Sequence, residues 1–213
     1  MINWERLGDI EDSHYGWRAS LVTELSHVYV AGEGDNPEAF IIGEAPGAQE
    51  EAQRRPFVGP AGVVMRDLMA IAGLYATSVV VDDYSRMSFR DVEPNCWLTN
   101  VVKFRPPRNR KPTPLEIKAA RPWLLEEWRA VGAPQLIIPV GGTALEAVLG
   151  KPQSILRVAG KCYEATSKSG HQLFVWPMVH PSFGLRTPAA QPLLEADWER
   201  LAEWRNKRVS HPR

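Results

Sequence analysis

Residues 40–47 read Phe-Ile-Ile-Gly-Glu-Ala-Pro-Gly, a short apolar run that breaks into a Gly/Pro-rich turn carrying one acid, Glu44. Consecutive apolar residues bounded by turn residues predict a strand covered on both faces, as in a parallel sheet. The break at Gly43 predicts the strand's carboxyl end. In open α/β sheets ligands gather at those ends, so Glu44 stands where an acid can meet a substrate. The same pattern recurs at Trp97–Val102, Leu136–Val140 and Leu173–Trp176.

Helical patterns separate these runs. Val64, Leu68 and Ile71 follow Gly62 at helical spacing. Thr113-Pro114-Leu115-Glu116 predicts a helix start, with Thr113 as cap, Pro114 at the first position and Glu116 closing a capping box. Ile117, Ala120, Leu124 and Trp128 then share one face. Thr143 to Leu149 predicts a short helix ended by Gly150, and Leu194, Trp198 and Leu201 mark a last one. The alternation predicts an α/β fold: one three-layer α/β/α domain over 1–213, with a central, mostly parallel four-stranded sheet. Residues 75–95 fit neither pattern and are expected to be an insertion. Residues 206–213 are expected to be a flexible tail.

The chain has 213 residues with 44% hydrophobic and 23% charged residues, the balance of a folded domain rather than a disordered or coiled-coil chain. No run of about 18 apolar residues is present, so no membrane partner is expected. The first residues lack the charged and apolar regions of a signal peptide, and a cytoplasmic location is expected. Two cysteines, Cys96 and Cys162, are too few for a disulfide framework or a four-cysteine metal site.

The net charge of zero is uneven along the chain. Residues 1–51 hold eleven acids and two bases, a balance of −9, which leaves +9 for residues 52–213. Lys103, Arg105, Arg108, Arg110, Lys111 and Lys118 fall within sixteen residues that contain one acid, Glu116. Charge alone fits either a solvated loop or a strip that contacts phosphates.

Three segments place polar and Gly/Pro residues directly after predicted strands. The first is Gly43-Glu44-Ala45-Pro46-Gly47 with Glu50, followed by Pro56-Phe57-Val58-Gly59 and Ala61-Gly62. It lacks the Lys-Ser/Thr ending of a Walker phosphate loop. The second is Thr99-Asn100-Val101-Val102-Lys103 with Arg105-Pro106-Pro107. A buried Asn needs hydrogen-bond partners, and its amide suits either neighbouring backbone or the edge of a nucleobase. The third is His180-Pro181-Ser182 with Leu185-Arg186. Neither a Ser-His-Asp set nor an HExxH metal motif accompanies them.

Taken in order, and with Pro139 to Leu149 in the place of the family's Leu-Gly-x-x-Ala helix start, these segments resemble family 4 of the uracil-DNA glycosylase superfamily, over roughly residues 28–205. The resemblance implies a monofunctional, monomeric DNA glycosylase that flips uracil out of DNA and hydrolyses its N-glycosidic bond. It implies catalytic roles for Glu44, which positions water and faces the cationic sugar, and for His180, which donates to the base O2. Phe57 would stack on the base, Asn100 would read its pairing edge, and Glu50 would crowd its C5 side. The turn at Gly43 and Ala45 would border the base. Pro181, Ser182, Leu185 and Arg186 would grip the DNA and plug the duplex, with Lys103, Arg105, Arg108, Arg110 and Lys111 as further DNA contacts. Two alternatives stay open: a glycosylase for a 5-modified pyrimidine, and a catalytically silent member that binds DNA.

The resemblance also implies a 4Fe-4S cluster on four cysteines, and here this sequence departs from it. Residues 12–17 hold no cysteine, Phe104 follows Val-Val-Lys where the family has one, and Ala120 stands at the helix position. Neither a metal nor another cofactor is therefore expected. The loop at 107–112 also lacks the histidine of a covalent, abasic-site-linking relative, so covalent capture of DNA is not expected.

Overall fold

In the computed structural model, the described residues are 25–35, 37–74, 95–167 and 170–210. The insertion expected at 75–95 lies outside them except for Asn95, as does the cysteine-free stretch at 12–17.

Five strands form one sheet: β1 (Ala39–Gly43), β2 (Cys96–Asn100), β3 (Leu136–Pro139), β4 (Tyr163–Thr166) and β5 (Gln172–Val175), in the order β2-β1-β3-β5-β4. β1 runs parallel to β2 and β3, and β3 runs parallel to β5. All four predicted strands are present. The expected count of four is corrected to five by β4, an antiparallel edge strand paired to β5. β4 alternates half-buried and exposed residues. One solvated face and one partner remove the need for the continuous apolar run that marks a central strand.

Alternate residues of the sheet feed two cores. Ile41, Leu98, Ile138 and Phe174 pack with Met65, Leu68 and Met69 of α2 (Pro60–Ile71) and with Leu194, Trp198 and Leu201 of α7 (Gln191–Ser210). Phe40, Ile42, Ile137 and Val175 pack on the other side, against Ile117, Ala120 and Leu124 of α3 (Pro114–Ala130) and Leu145 and Val148 of α4 (Gly142–Leu149). Period-two alternation thus yields three layers, as expected. Among the described residues there are also three short α-helices, α1 (Ala48–Gln53), α5 (Ile155–Val158) and α6 (Ser182–Arg186), and two 3-10 turns, Pro107–Asn109 and Pro188–Ala190.

The α3 capping box forms as predicted, with Glu116 N–H donating to Thr113 Oγ1 and Thr113 N–H donating to Glu116 Oε2. The tail expected from 206 is corrected in part. α7 stays helical to Ser210, with the Arg208 guanidinium 3.9 Å from the centroid of the Phe174 ring. That cation–π contact gives the last turn a packing partner.

Candidate active site

The sheet's parallel register brings the three polar segments to one edge. Gly43 is paired with Asn100 at the ends of β1 and β2, and the chain keeps bonding beyond them through Val101 N–H to Gly43 O and Val102 N–H to Glu44 O. On the other side of β1, Val140 bridges Met178 and Gly141 N–H donates to Met178 O. Glu44, Asn100, Gly141 and His180 therefore all leave the carboxyl ends of adjacent strands.

The side chains of Asn100 and Phe57 meet over Gly43. A Cβ at this position would collide with Asn100 Oδ1 and lie 2.7 Å from Phe57 Cζ, so glycine is required for the two groups to meet there. Phe57 and Asn100 are each only 6% exposed. Phe57 has φ 54°, a left-handed conformation that an aromatic residue adopts only when its surroundings impose it. Gly141, at φ 91°, backs His180, whose Cβ lies 3.2 Å from where a Cβ on Gly141 would sit.

Glu50 holds the two loops in place. Its carboxylate accepts from Gly47 N–H at 3.1 Å and from Gly59 N–H at 2.7 Å, so it clamps the turn after β1 to the loop carrying Phe57. Glu50→Ala removes both acceptors. It is expected to lower stability by about 2 kcal/mol, or roughly 4–8 °C in Tm for a domain of this size. A thermal melt checks this, and an unchanged Tm would remove the clamp.

His180 has a defined protonation state. Burial, helped by the charge of Arg186 and opposed by Glu50, lowers its pKa to about 4. Ser182 N–H lies 3.2 Å from His180 Nδ1 and Ser182 Oγ lies 2.8 Å from it, while Arg186 Nη1 donates to Ser182 Oγ at 3.1 Å. With a backbone donor on Nδ1, that nitrogen is the acceptor and the ring proton sits on Nε2. The neighbouring Leu185 is 50% exposed at the rim.

The basic segment is less open than its charge suggests. Lys103 is corrected from a DNA contact to an interior residue. It is 5% exposed, its ammonium pairs with Glu127 and Thr99, and burial pulls its pKa down against the pull of Glu127. Glu127 also accepts from Trp97 Nε1 and Thr99 Oγ1, tying α3 to β2. Arg105 pairs with Glu51 at 3.0 Å, and Arg110 pairs with Glu116 at 2.7 Å. Arg108 and Lys111 are exposed.

The chain belongs to the uracil-DNA glycosylase superfamily. The family model for the uracil DNA glycosylase superfamily matches residues 31–202. The type-4 uracil-DNA glycosylase of Archaeoglobus fulgidus is 31% identical over 204 residues, 93% of each chain. That of Saccharolobus solfataricus is 33% identical over 82% of this chain and 74% of its own length. That of Thermotoga maritima is 34% identical over 74% of this chain and 71% of its own. The convergent residues lie in the segments that carry the superfamily resemblance. Thr143, which reaches Glu44 from α4, lies in the Pro139–Leu149 helix start that is part of the same resemblance, whereas Glu127, which reaches β2 from α3, lies in none of its motifs.

The residues present do not fit the iron–sulfur cluster expected of family 4. Phe104 packs edge-on against Tyr29, with ring centroids 5.7 Å apart, and Ala120 lies buried on α3. With Trp123 they line an apolar cavity of about 130 Å³. Cys96 begins β2 and Cys162 precedes β4. Among the described residues no group of three or more His, Cys, Asp or Glu is placed to hold a metal ion. Among them, too, no helix is long and apolar enough to cross a membrane.

Proposed function

We propose that this chain is a monofunctional uracil-DNA glycosylase that works without a metal or cluster. The observation that carries the reading is the meeting of Glu44, Phe57, Asn100 and His180 at one end of the sheet. Two are titratable groups, and the others are an aromatic face and an amide over a floor of glycine.

A base within a duplex is out of reach, so the uridine is extruded at a cost of a few kcal/mol. Stacking on Phe57 offsets about 1–3 kcal/mol of that cost. Leu185 fills the gap, Pro181 and Ser182 press on the backbone, and Arg108, Lys111 and Arg186 face phosphates. Asn100 pairs with the uracil edge, presenting an acceptor to N3–H and a donor to O4.

The bond between C1′ and N1 then breaks. Its electron pair leaves with the base, and positive charge develops on the sugar. His180 Nε2–H donates to O2 and stabilises the uracil anion without first giving up a proton. Glu44 stabilises the cationic sugar and orients water, whose oxygen forms the new bond to C1′ and whose proton is released. Preorganised charges of this kind act where charge develops. The product is free uracil and an abasic site, with no bond to the protein.

The test is incubation with a uracil-containing oligonucleotide. The reading expects free uracil by mass spectrometry and a strand that breaks only after alkali. Breakage before alkali would overturn the monofunctional assignment, and no uracil release would overturn the function.

Cluster independence has its own readout. Protein purified anaerobically is expected to show no absorbance band near 400 nm and no stoichiometric iron, and to keep its activity in air. A band with about four irons per chain would contradict it.

A further inference from the structure

Thr143 is 1% exposed and sits in the first turn of α4. Its hydroxyl donates to Glu44 Oε2 at 2.5 Å, across 99 residues of sequence. The two meet because β1 and β3 are parallel neighbours, so the turns after Gly43 and Pro139 open side by side. Gly141, at φ 91°, makes the sharp entry into α4 that points Thr143 back at Glu44.

A glutamate on a turn rotates freely about its last bonds and can offer either oxygen to a ligand. A buried hydroxyl donor removes that freedom, since leaving its partner unmet inside the protein is unfavourable. One oxygen is thus engaged by the protein, and Oε1 is left to face the sugar and the water.

We infer that Thr143 is a positioning residue for Glu44, holding Oε2 so that Oε1 alone orients the attacking water. The inference rests on the role of Glu44 proposed above. Thr143 touches no reacting atom and acts only through Glu44.

The test uses wild type, Thr143→Ala, Thr143→Ser, Glu44→Ala and the double variant Glu44→Ala/Thr143→Ala. Each is measured for single-turnover uracil release, affinity for the uracil oligonucleotide, and Tm. Thr143→Ala is expected to slow release by about 10- to 100-fold, the effect of losing one hydrogen bond to a charged group. DNA affinity is expected to stay within about twofold of wild type. Thr143→Ser keeps the hydroxyl and is expected to recover the rate to within about threefold. In the Glu44→Ala background, Thr143→Ala is expected to change nothing further, because coupled residues are non-additive. A wild-type rate for Thr143→Ala, or an equal slowing in both backgrounds, would overturn the inference. If wild type releases no uracil, the role of Glu44 fails separately and the melts decide for Thr143. Non-additive Tm losses keep the pairing with Glu44, and additive losses overturn it.

Discussion

His180→Ala is expected to lower the single-turnover rate of uracil release by about 100- to 1,000-fold while DNA still binds, since removing one preorganised donor to a developing anion has an effect of that size. The donor is a neutral imidazole with its proton on Nε2, because Ser182 N–H engages Nδ1. Its pKa of about 4, set mainly by burial, fixes the pH behaviour. Above that value the neutral donor is present. As pH falls through about 4 the ring gains a second proton, which displaces the Ser182 N–H from Nδ1. Release is therefore expected to stay level through the ordinary histidine range near 6.5 and to fall only as pH drops toward 4. The profile of kcat/KM checks this. A loss of activity centred near 6.5 would show a solvated, ordinary histidine. His180→Ala at the wild-type rate would remove His180 from the chemistry.

Glu44→Gln is expected to lower the same rate by about 100- to 1,000-fold. The change keeps size and shape, and the amide oxygen can still accept from Thr143. It therefore isolates the negative charge that is proposed to face the cationic sugar. Affinity for DNA is expected to hold or rise, because a carboxylate near phosphates is removed. A loss in affinity with the rate intact would assign Glu44 to binding instead. Glu44→Gln and Thr143→Ala thus separate charge from position at one carboxylate.

Central strands and helix starts were readable because their physics is local. Phe40–Ile42 and Leu136–Ile138 are apolar on both sides, and the Thr113–Glu116 box closes within four residues. β4 is not legible in the sequence because an edge strand with one solvated face has no apolar run. That Glu44, Asn100 and His180 leave the carboxyl ends of neighbouring strands follows from the strand pattern. What surrounds them depends on partners remote in sequence. Counting charges cannot reveal that Lys103 turns inward to Glu127, or that Arg105 and Arg110 are taken up by Glu51 and Glu116. The seven-residue helix pattern at Thr143–Leu149 likewise gives no sign that its first residue reaches a turn 99 positions earlier. Nor does sequence reveal that the Glu50 carboxylate accepts from Gly47 and Gly59.

The most direct test of the central claim is a base-excision panel on oligonucleotides carrying uracil, 5-hydroxymethyluracil, hypoxanthine or thymine. All four bases present an equivalent donor–acceptor edge to Asn100, so discrimination falls to Glu50, held by Gly47 and Gly59 and proposed to crowd the C5 side, and to the size of the pocket: uracil is expected ahead of the other three, with thymine untouched. Faster excision of 5-hydroxymethyluracil than of uracil, or tight binding with no excision of any base, would contradict it.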